Sequence, residues 1–200
     1  MKSKFVLSVS IALAAAIMPL AAAAQIAPDK PKTEREAPAF KYEAFGMFAY
    51  TSLNQVNQSR YGLMGAKFGA TRDLGRYFGV TGIADYYKPA TGSPNPGDPS
   101  VYDLLAGPEL HVPLVAKVDG ILHGLMGYEH TGGEAMRPSG SFAGGFGGGL
   151  DYNVTPRIAI RASGDRIGAS FSLSNNTPQL AYSPHLHWNA RGEVGLVVRF

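Results

Sequence analysis

From Phe40 onward the chain keeps one rhythm: apolar and polar residues alternate in segment after segment, each long enough when extended to cross a bilayer. In Phe40 to Ser52 the even positions are Phe40, Tyr42, Ala44, Gly46, Phe48 and Tyr50, while Lys41, Glu43 and Thr51 fall on the odd face. Val101 to Val112 sets Tyr102, Leu104, Ala106, Pro108, Leu110 and Val112 against Asp103, Glu109 and His111. Val118 to His130 sets Leu122, Met126 and Tyr128 against Asp119, His123 and Glu129, and Ala190 to Phe200 sets Val194, Leu196, Val198 and Phe200 against Arg191, Glu193 and Arg199. An interval of two places successive side chains on opposite faces of a strand, whereas a helix needs intervals of three and four. Tyr77 to Tyr87, Phe142 to Val154 and Ile158 to Gly168 carry the pattern more weakly, and Arg60 to Thr71 leaves its faces ambiguous, which brings the expected total to about eight strands.

The connections add an independent regularity. Long polar stretches around Ser52 to Ser59, Lys88 to Ser100, Thr131 to Ser139 and Ala169 to Trp188 alternate with short turns at Thr71 to Gly75, Pro113 to Lys117 and Asn153 to Arg157. All long connections therefore fall at one end and all short ones at the other, the asymmetry of an outer-membrane barrel with its short turns in the periplasm.

Ahead of the strands, Lys2 and Lys4 precede an apolar stretch from Phe5 to Leu20 and a run from Ala21 to Ala24, the layout of a secretory signal cleaved after Ala24. Residues 25–39 hold Pro28, Pro31 and Pro38 among mixed charges and read as a flexible periplasmic leader; residues 40–200 read as the barrel. Removal of the two lysines takes the formal charge from +3 to +1, so no nucleic-acid footprint remains. With no Cys there is no disulfide, thiolate site or lipidated residue behind the signal. No later run reaches about 18 apolar residues, so a membrane role has to use strands. Only 16% of residues are charged, against 25 Gly, 10 Phe and 10 Tyr, which suits a surface that meets something other than water.

Three segments carry a resemblance to a known family: Lys117 to His130, Phe142 to Tyr152 running into Ile158 to Arg161, and the ending Gly195 to Phe200. Over about Phe40 to Phe200 the chain resembles the eight-stranded outer-membrane β-barrel family that includes the OmpA-type transmembrane domain. The resemblance implies a closed antiparallel up-and-down barrel in the bacterial outer membrane. It also implies that Val194, Leu196, Val198 and Phe200 form a terminal signal read by the barrel-insertion machinery. Ala162 to Arg166 is shorter and more polar than the pattern of the seventh strand, so the end of that strand is left open.

A sheet crosses hydrocarbon only when closed, because each backbone polar group needs a partner within the protein. With the apolar face outward, Lys41, Glu43, Asp85, Asp103, Glu109, His111, His123, Glu129, Arg161, Asp165, Arg191, Glu193 and Arg199 point into a lumen just wide enough for side chains, where charges have to pair. The inside-out alternative is a soluble periplasmic lipocalin-like binding barrel. Loop asymmetry, the final Phe200 and aromatics near strand ends (Tyr50, Tyr102, Tyr128, Tyr152, Trp188) favour the membrane.

Motifs for chemistry are weak. Gly144 to Gly149 does not satisfy G-x-G-x-x-G and no helix follows, so those glycines read as space for bulky neighbours. Ser183, His185 and His187, with Glu193 on the next strand, hold the residue types of a hydrolase, and a lipid A-modifying enzyme is one alternative. A metal set from His130, His185 and His187 lacks a third ligand fixed by spacing. The sequon at Asn153 falls in a turn of a bacterial-type protein and is set aside. The expectation is a non-enzymatic integral outer-membrane protein with no cofactor and no metal. Its partners would be lipid, lipopolysaccharide and an unnamed extracellular ligand; a narrow channel is the further alternative.

Overall fold

A computed structural model describes residues 40–54, 60–89, 100–132, 139–170 and 186–200. The alternating segments are all strands: β1 Tyr42–Asn54, β2 Arg60–Asp73, β3 Phe78–Pro89, β4 Ser100–Val115, β5 Val118–Gly132, β6 Ser139–Asn153, β7 Ile158–Ser170 and β8 Leu186–Arg199. Each pairs antiparallel with its chain neighbours, and β8 returns to β1, so no sheet edge is left. The seam is held at its lower end by Tyr42 N donating to Phe200 O at 3.0 Å and Phe200 N donating to Tyr42 O at 2.9 Å, with the two rings stacked. The expected signal (1–24), the leader (25–39) and most of the four longer connections lie outside the described residues.

Register fixes the shape of the wall. Paired residues followed once around, from Ile121 through Gly149, Ser163, Glu193, Ala49, Gly65, Tyr87 and Val101, return to β5 at Thr131, ten residues further along the strand. A stagger of that size in eight strands tilts each by roughly 40° from the axis and leaves an interior that side chains fill.

One parity holds throughout: even-numbered residues face out of all eight strands and odd-numbered residues face in. Leu104 is 66% exposed beside Leu105 at 2%, and Leu196 is 57% exposed beside Val197 at 0%. Phe48, Phe68, Leu122, Met126, Phe146 and Val194 are likewise exposed in the middle of the wall. Tyr50, Tyr86, Tyr102, Tyr128, Phe142 and Trp188 lie within a few residues of the strand ends remote from the turns, and Tyr42, Phe78, Tyr152 and Phe200 mark the turn end. These are two interfacial belts around an apolar band. The soluble inside-out barrel requires the opposite arrangement.

Several boundaries move outward from the sequence reading because pairing, not polarity, decides where a strand stops. β7 continues to Ser170 despite the polar stretch at Ser163 to Arg166, since its partners on β6 and β8 continue alongside. β8 starts at Leu186, so Trp188 belongs to the wall and not to a loop. β4 runs through Pro113 to Val115 with a register shift there, which shortens the next turn to Ala116 and Lys117.

Candidate functional site

The candidate site that the fold assembles is a chain of charged side chains inside the barrel. At the turn end, Arg161 of β7 donates from Nε to Asp151 Oδ1 at 2.7 Å and from Nη2 to Asp151 Oδ2 at 2.8 Å, a two-pronged grip on the neighbouring strand. The same Nη2 reaches Glu43 Oε2 of β1 at 3.0 Å. Arg199 of β8 completes the square with Nε on Glu43 Oε1 at 2.7 Å and Nη2 on Asp151 Oδ2 at 3.0 Å, and also donates to Asn153 Oδ1. Two cations and two anions, all buried, thus link β6, β7, β8 and β1. The Arg161 guanidinium also lies 5.1 Å from the centre of the Phe45 ring.

Beside them, Glu109 Oε1 accepts from Thr71 Oγ1 at 3.1 Å and faces His111 Nε2 at 3.0 Å. In the middle of the lumen Lys67 Nζ sits 2.6 Å from Asp165 Oδ2 and 2.5 Å from Glu193 Oε1. His123 Nε2 meets Asp165 Oδ1 at 2.9 Å, and Ser163 Oγ donates to Glu193 Oε2 at 2.7 Å. Nearer the far end, Arg191 is 3.0 Å from Asp85 Oδ2, 2.7 Å from Asp103 Oδ2 and 3.3 Å from Glu129 Oε2, beneath the buried ring of Tyr87.

Of the residues expected in the lumen, Glu43, Asp85, Asp103, Glu109, His111, His123, Glu129, Arg161, Asp165, Arg191, Glu193 and Arg199 lie on its inner face. Lys41 does not. It has the inward parity, but β1 begins at Tyr42, so Lys41 lies below the wall with its side chain exposed. Lys67 and Asp151 were missed. Lys67 lies on β2, whose odd face also carries Leu63, Gly65 and Gly69, and Asp151 is the sole charge on the glycine-rich β6. Counting parity outward from Asp85, the register partner of Lys67, would have found the first.

Glycine makes room at one decisive point. A Cβ on Gly147 would collide with Asp165 Oδ1 and lie 2.7 Å from His123 Nε2, so the middle cluster closes only because that position on β6 has no side chain. Packing leaves a cavity of about 10 Å³ bordered by Met47, Lys67, Glu109, His123 and Arg161, among others, close to the space of a single water.

The candidate hydrolase set and the His130, His185 and His187 metal set each include residues outside the described ones. Ser183 and His185 lie outside the described residues, while Glu193 is mid-lumen on Lys67 and Ser163 and not at the rim. Ligand atoms of Glu43, Glu109 and His111 approach within 4.8 Å of one another, but both Glu43 oxygens are already taken by arginines, whose charge opposes a metal ion there. Val194, Leu196, Val198 and Phe200 all face outward and are exposed.

No protein-family model matches the sequence, and no curated protein matches it. Solved structures do match. Neisserial surface protein A is similar at 16% identity with a TM-score of 0.60, over 82% of this chain and 99% of that one. Ail, the attachment invasion locus protein of Yersinia pestis, is similar at 16% identity with a TM-score of 0.51, over 80% and 99%. OprG, an outer membrane protein from Pseudomonas aeruginosa, is similar at 12% identity with a TM-score of 0.55, over 82% and 97%. At these identities the likeness is one of architecture: the chain has the closed eight-stranded antiparallel β-barrel fold of bacterial outer-membrane proteins.

Proposed function

We propose that the chain is a non-enzymatic integral outer-membrane protein whose lumen is a charged plug and whose wall anchors the four longer connections at the cell surface. The observation that carries this reading is the division of the wall: apolar side chains exposed around the whole circumference, ionised ones paired inside. Such an outer band is costly in water and stable in lipid, and inside the wall each buried lysine and arginine meets carboxylates. A cavity of about 10 Å³ supports a plug in preference to a conducting pore. The partners in this reading are outer-membrane lipid and lipopolysaccharide around the belts, a surface ligand at the longer connections, and the insertion machinery acting on Val194, Leu196, Val198 and Phe200; no nucleic acid is involved.

Fractionation tests the reading. The expected result is a detergent-extractable outer-membrane band that resists cold dodecyl sulfate and shifts on boiling, with no conductance steps in planar bilayers. Recovery of the polypeptide in the soluble periplasmic fraction would overturn it, steady single-channel steps would replace the plug with a channel, and a changed lipid A mass spectrum on expression would restore the enzyme.

A further inference from the structure

Negative charge is sorted to one side of the wall. Every acidic residue of the described strands carries an odd number, the inward parity, whereas Arg72, Lys88 and Arg166 carry even numbers and are exposed. The consequence is sharpest at the turn end. Exposed cations stand there at all four corners of the barrel: Lys41 before β1, Arg72 and Arg76 between β2 and β3, Lys117 between β4 and β5, and Arg157 between β6 and β7. Among the described residues no exposed side chain at that end is acidic. Asp73 and Asp119 come nearest, but both are half-buried: Asp73 lies 3.6 Å from His111 Nε2, and Asp119 accepts from Asn153 Nδ2 at 2.9 Å. A terminal carboxylate on Phe200 would offset only one of these cations, and residues 25–39 bring three acids and three bases, which leaves the balance unchanged.

Each corner also exposes large apolar side chains. Leu74 beside Arg72 and Arg76 is 57% exposed and Val154 beside Arg157 is 52% exposed; Leu114 accompanies Lys117, and Phe200, stacked on Tyr42, accompanies Lys41. Such side chains at the ends of short turns are costly in water and stable at the acyl boundary of a bilayer. Two of the cations are tied to the same layer by aromatic rings: the Arg76 guanidinium lies 5.9 Å from the centre of the Tyr77 ring, and that of Arg157 lies 5.5 Å from the centre of the Phe40 ring. The cations therefore stand at headgroup depth, with their stems along apolar surface and their charges toward water.

We propose that the turn end is a docking surface for anionic phospholipid headgroups, in which Lys41, Arg72, Lys117 and Arg157 meet lipid phosphates while the apolar residue beside each enters the acyl boundary. A polyanion of the cell wall shares the charge complementarity but offers nothing to apolar side chains at four separate corners, and this favours a lipid leaflet. One cation beside an anionic headgroup layer favours it about fivefold over a zwitterionic one. Contacts of this kind around the whole circumference set the depth and tilt of the barrel in that leaflet.

The inference rests on the membrane-barrel reading above, and its test separates the two. Full-length protein with Trp188→Phe and Val154→Trp carries its one tryptophan beside Arg157 and is folded into vesicles of mixed phosphatidylcholine and phosphatidylglycerol. A heat-shifted gel band establishes that the barrel has formed. Tryptophan quenching is then measured with bromine on the chains of one lipid or the other. The expected result is a preference for phosphatidylglycerol of about fivefold at low salt, falling toward parity as salt rises to about 0.5 M. Replacing Lys41, Arg72, Lys117 and Arg157 together with Gln abolishes the preference; Arg157→Gln alone, should the quadruple variant fail to fold, lowers it. Lys88→Gln with Arg166→Gln, at the other end of the wall, leaves it unchanged. Equal quenching by the two lipids in the folded parent protein overturns the proposal, as does a preference that survives the cation replacements. Equal quenching together with sedimentation of the detergent-folded protein on purified cell-wall sacculi, lost in the variants, gives the surface to the cell wall and also overturns it. A folded band absent from every sample overturns the barrel reading instead, and the surface falls with it.

Discussion

Replacing Arg161 with Met isolates what a lumenal ion pair contributes. The side chain is 2% exposed, and its guanidinium grips both oxygens of Asp151 and one of Glu43. Methionine fills the stem but leaves two carboxylates to share Arg199, which already contacts Glu43 Oε1 and Asp151 Oδ2. Removing one partner of a buried pair costs about 3 to 5 kcal/mol, and the continued presence of Arg199 places this case near the lower end. Loss of the guanidinium above Phe45 adds about 1 kcal/mol. The expected destabilisation is therefore about 4 kcal/mol. Adding Asp151→Asn removes the stranded charge, and the pair should show a coupling of about 2 kcal/mol in a double-mutant cycle. Reversible urea unfolding in lipid vesicles gives these values. Trp188, the chain's one tryptophan, reports on it from the outer face of β8. A cost below about 1 kcal/mol with no coupling, the behaviour of exposed ion pairs, would refute the reasoning and return water to the lumen.

Two further outcomes follow from the same division of faces. Leu104→Arg, on the outward face of β4 in the middle of the wall, should destabilise the vesicle-inserted barrel by about 2 to 4 kcal/mol, and Val112→Arg near the turn end by about 1 kcal/mol or less, measured by the same urea titration. Gly147→Val should weaken folding even though it adds only apolar atoms, because the new side chain occupies the space where Asp165 meets His123; the fraction of heat-shifted band after refolding measures it, and full recovery would count against the close contact.

Much of this was legible in the sequence, for a reason that also sets its limit. Alternation reports which side of a strand a residue faces, and wherever the inner face carries charge, as at Asp103, Glu109 and His111 of β4, both faces can be read directly. Elsewhere the inner face is itself apolar: Phe45, Met47, Ile83, Leu105, Leu125, Ile167 and Val197 form a buried cluster within the barrel. Apolar residues then stand on both faces, contrast fades, and β2 hid Lys67 behind Leu63 and glycines. Parity also carries no information about where a strand ends. Lys41 kept the inward phase one residue before β1 starts, and Trp188 read as loop because only the register with Gly168 of β7 places it in the wall. Which acid meets which base depends on the ten-residue stagger. That quantity emerges from all eight pairings together, so the meeting of Asp85, Asp103 and Glu129 at Arg191 was not legible segment by segment.

The most direct test of the outward-apolar, inward-charged wall uses neighbouring residues of equal hydrophobicity. The absence of native cysteine permits clean single-site nitroxide labels at Leu104 and Leu105, Ile121 and Leu122, and Leu196 and Val197 in the vesicle-inserted protein. Leu104, Leu122 and Leu196 face out, and their labels should collide freely with oxygen dissolved in lipid; those at Leu105, Ile121 and Val197 should be shielded from oxygen and from a water-soluble nickel chelate alike. Equal exposure within each pair, or oxygen contact on the odd-numbered members, would contradict the arrangement on which the fold and the plug both depend.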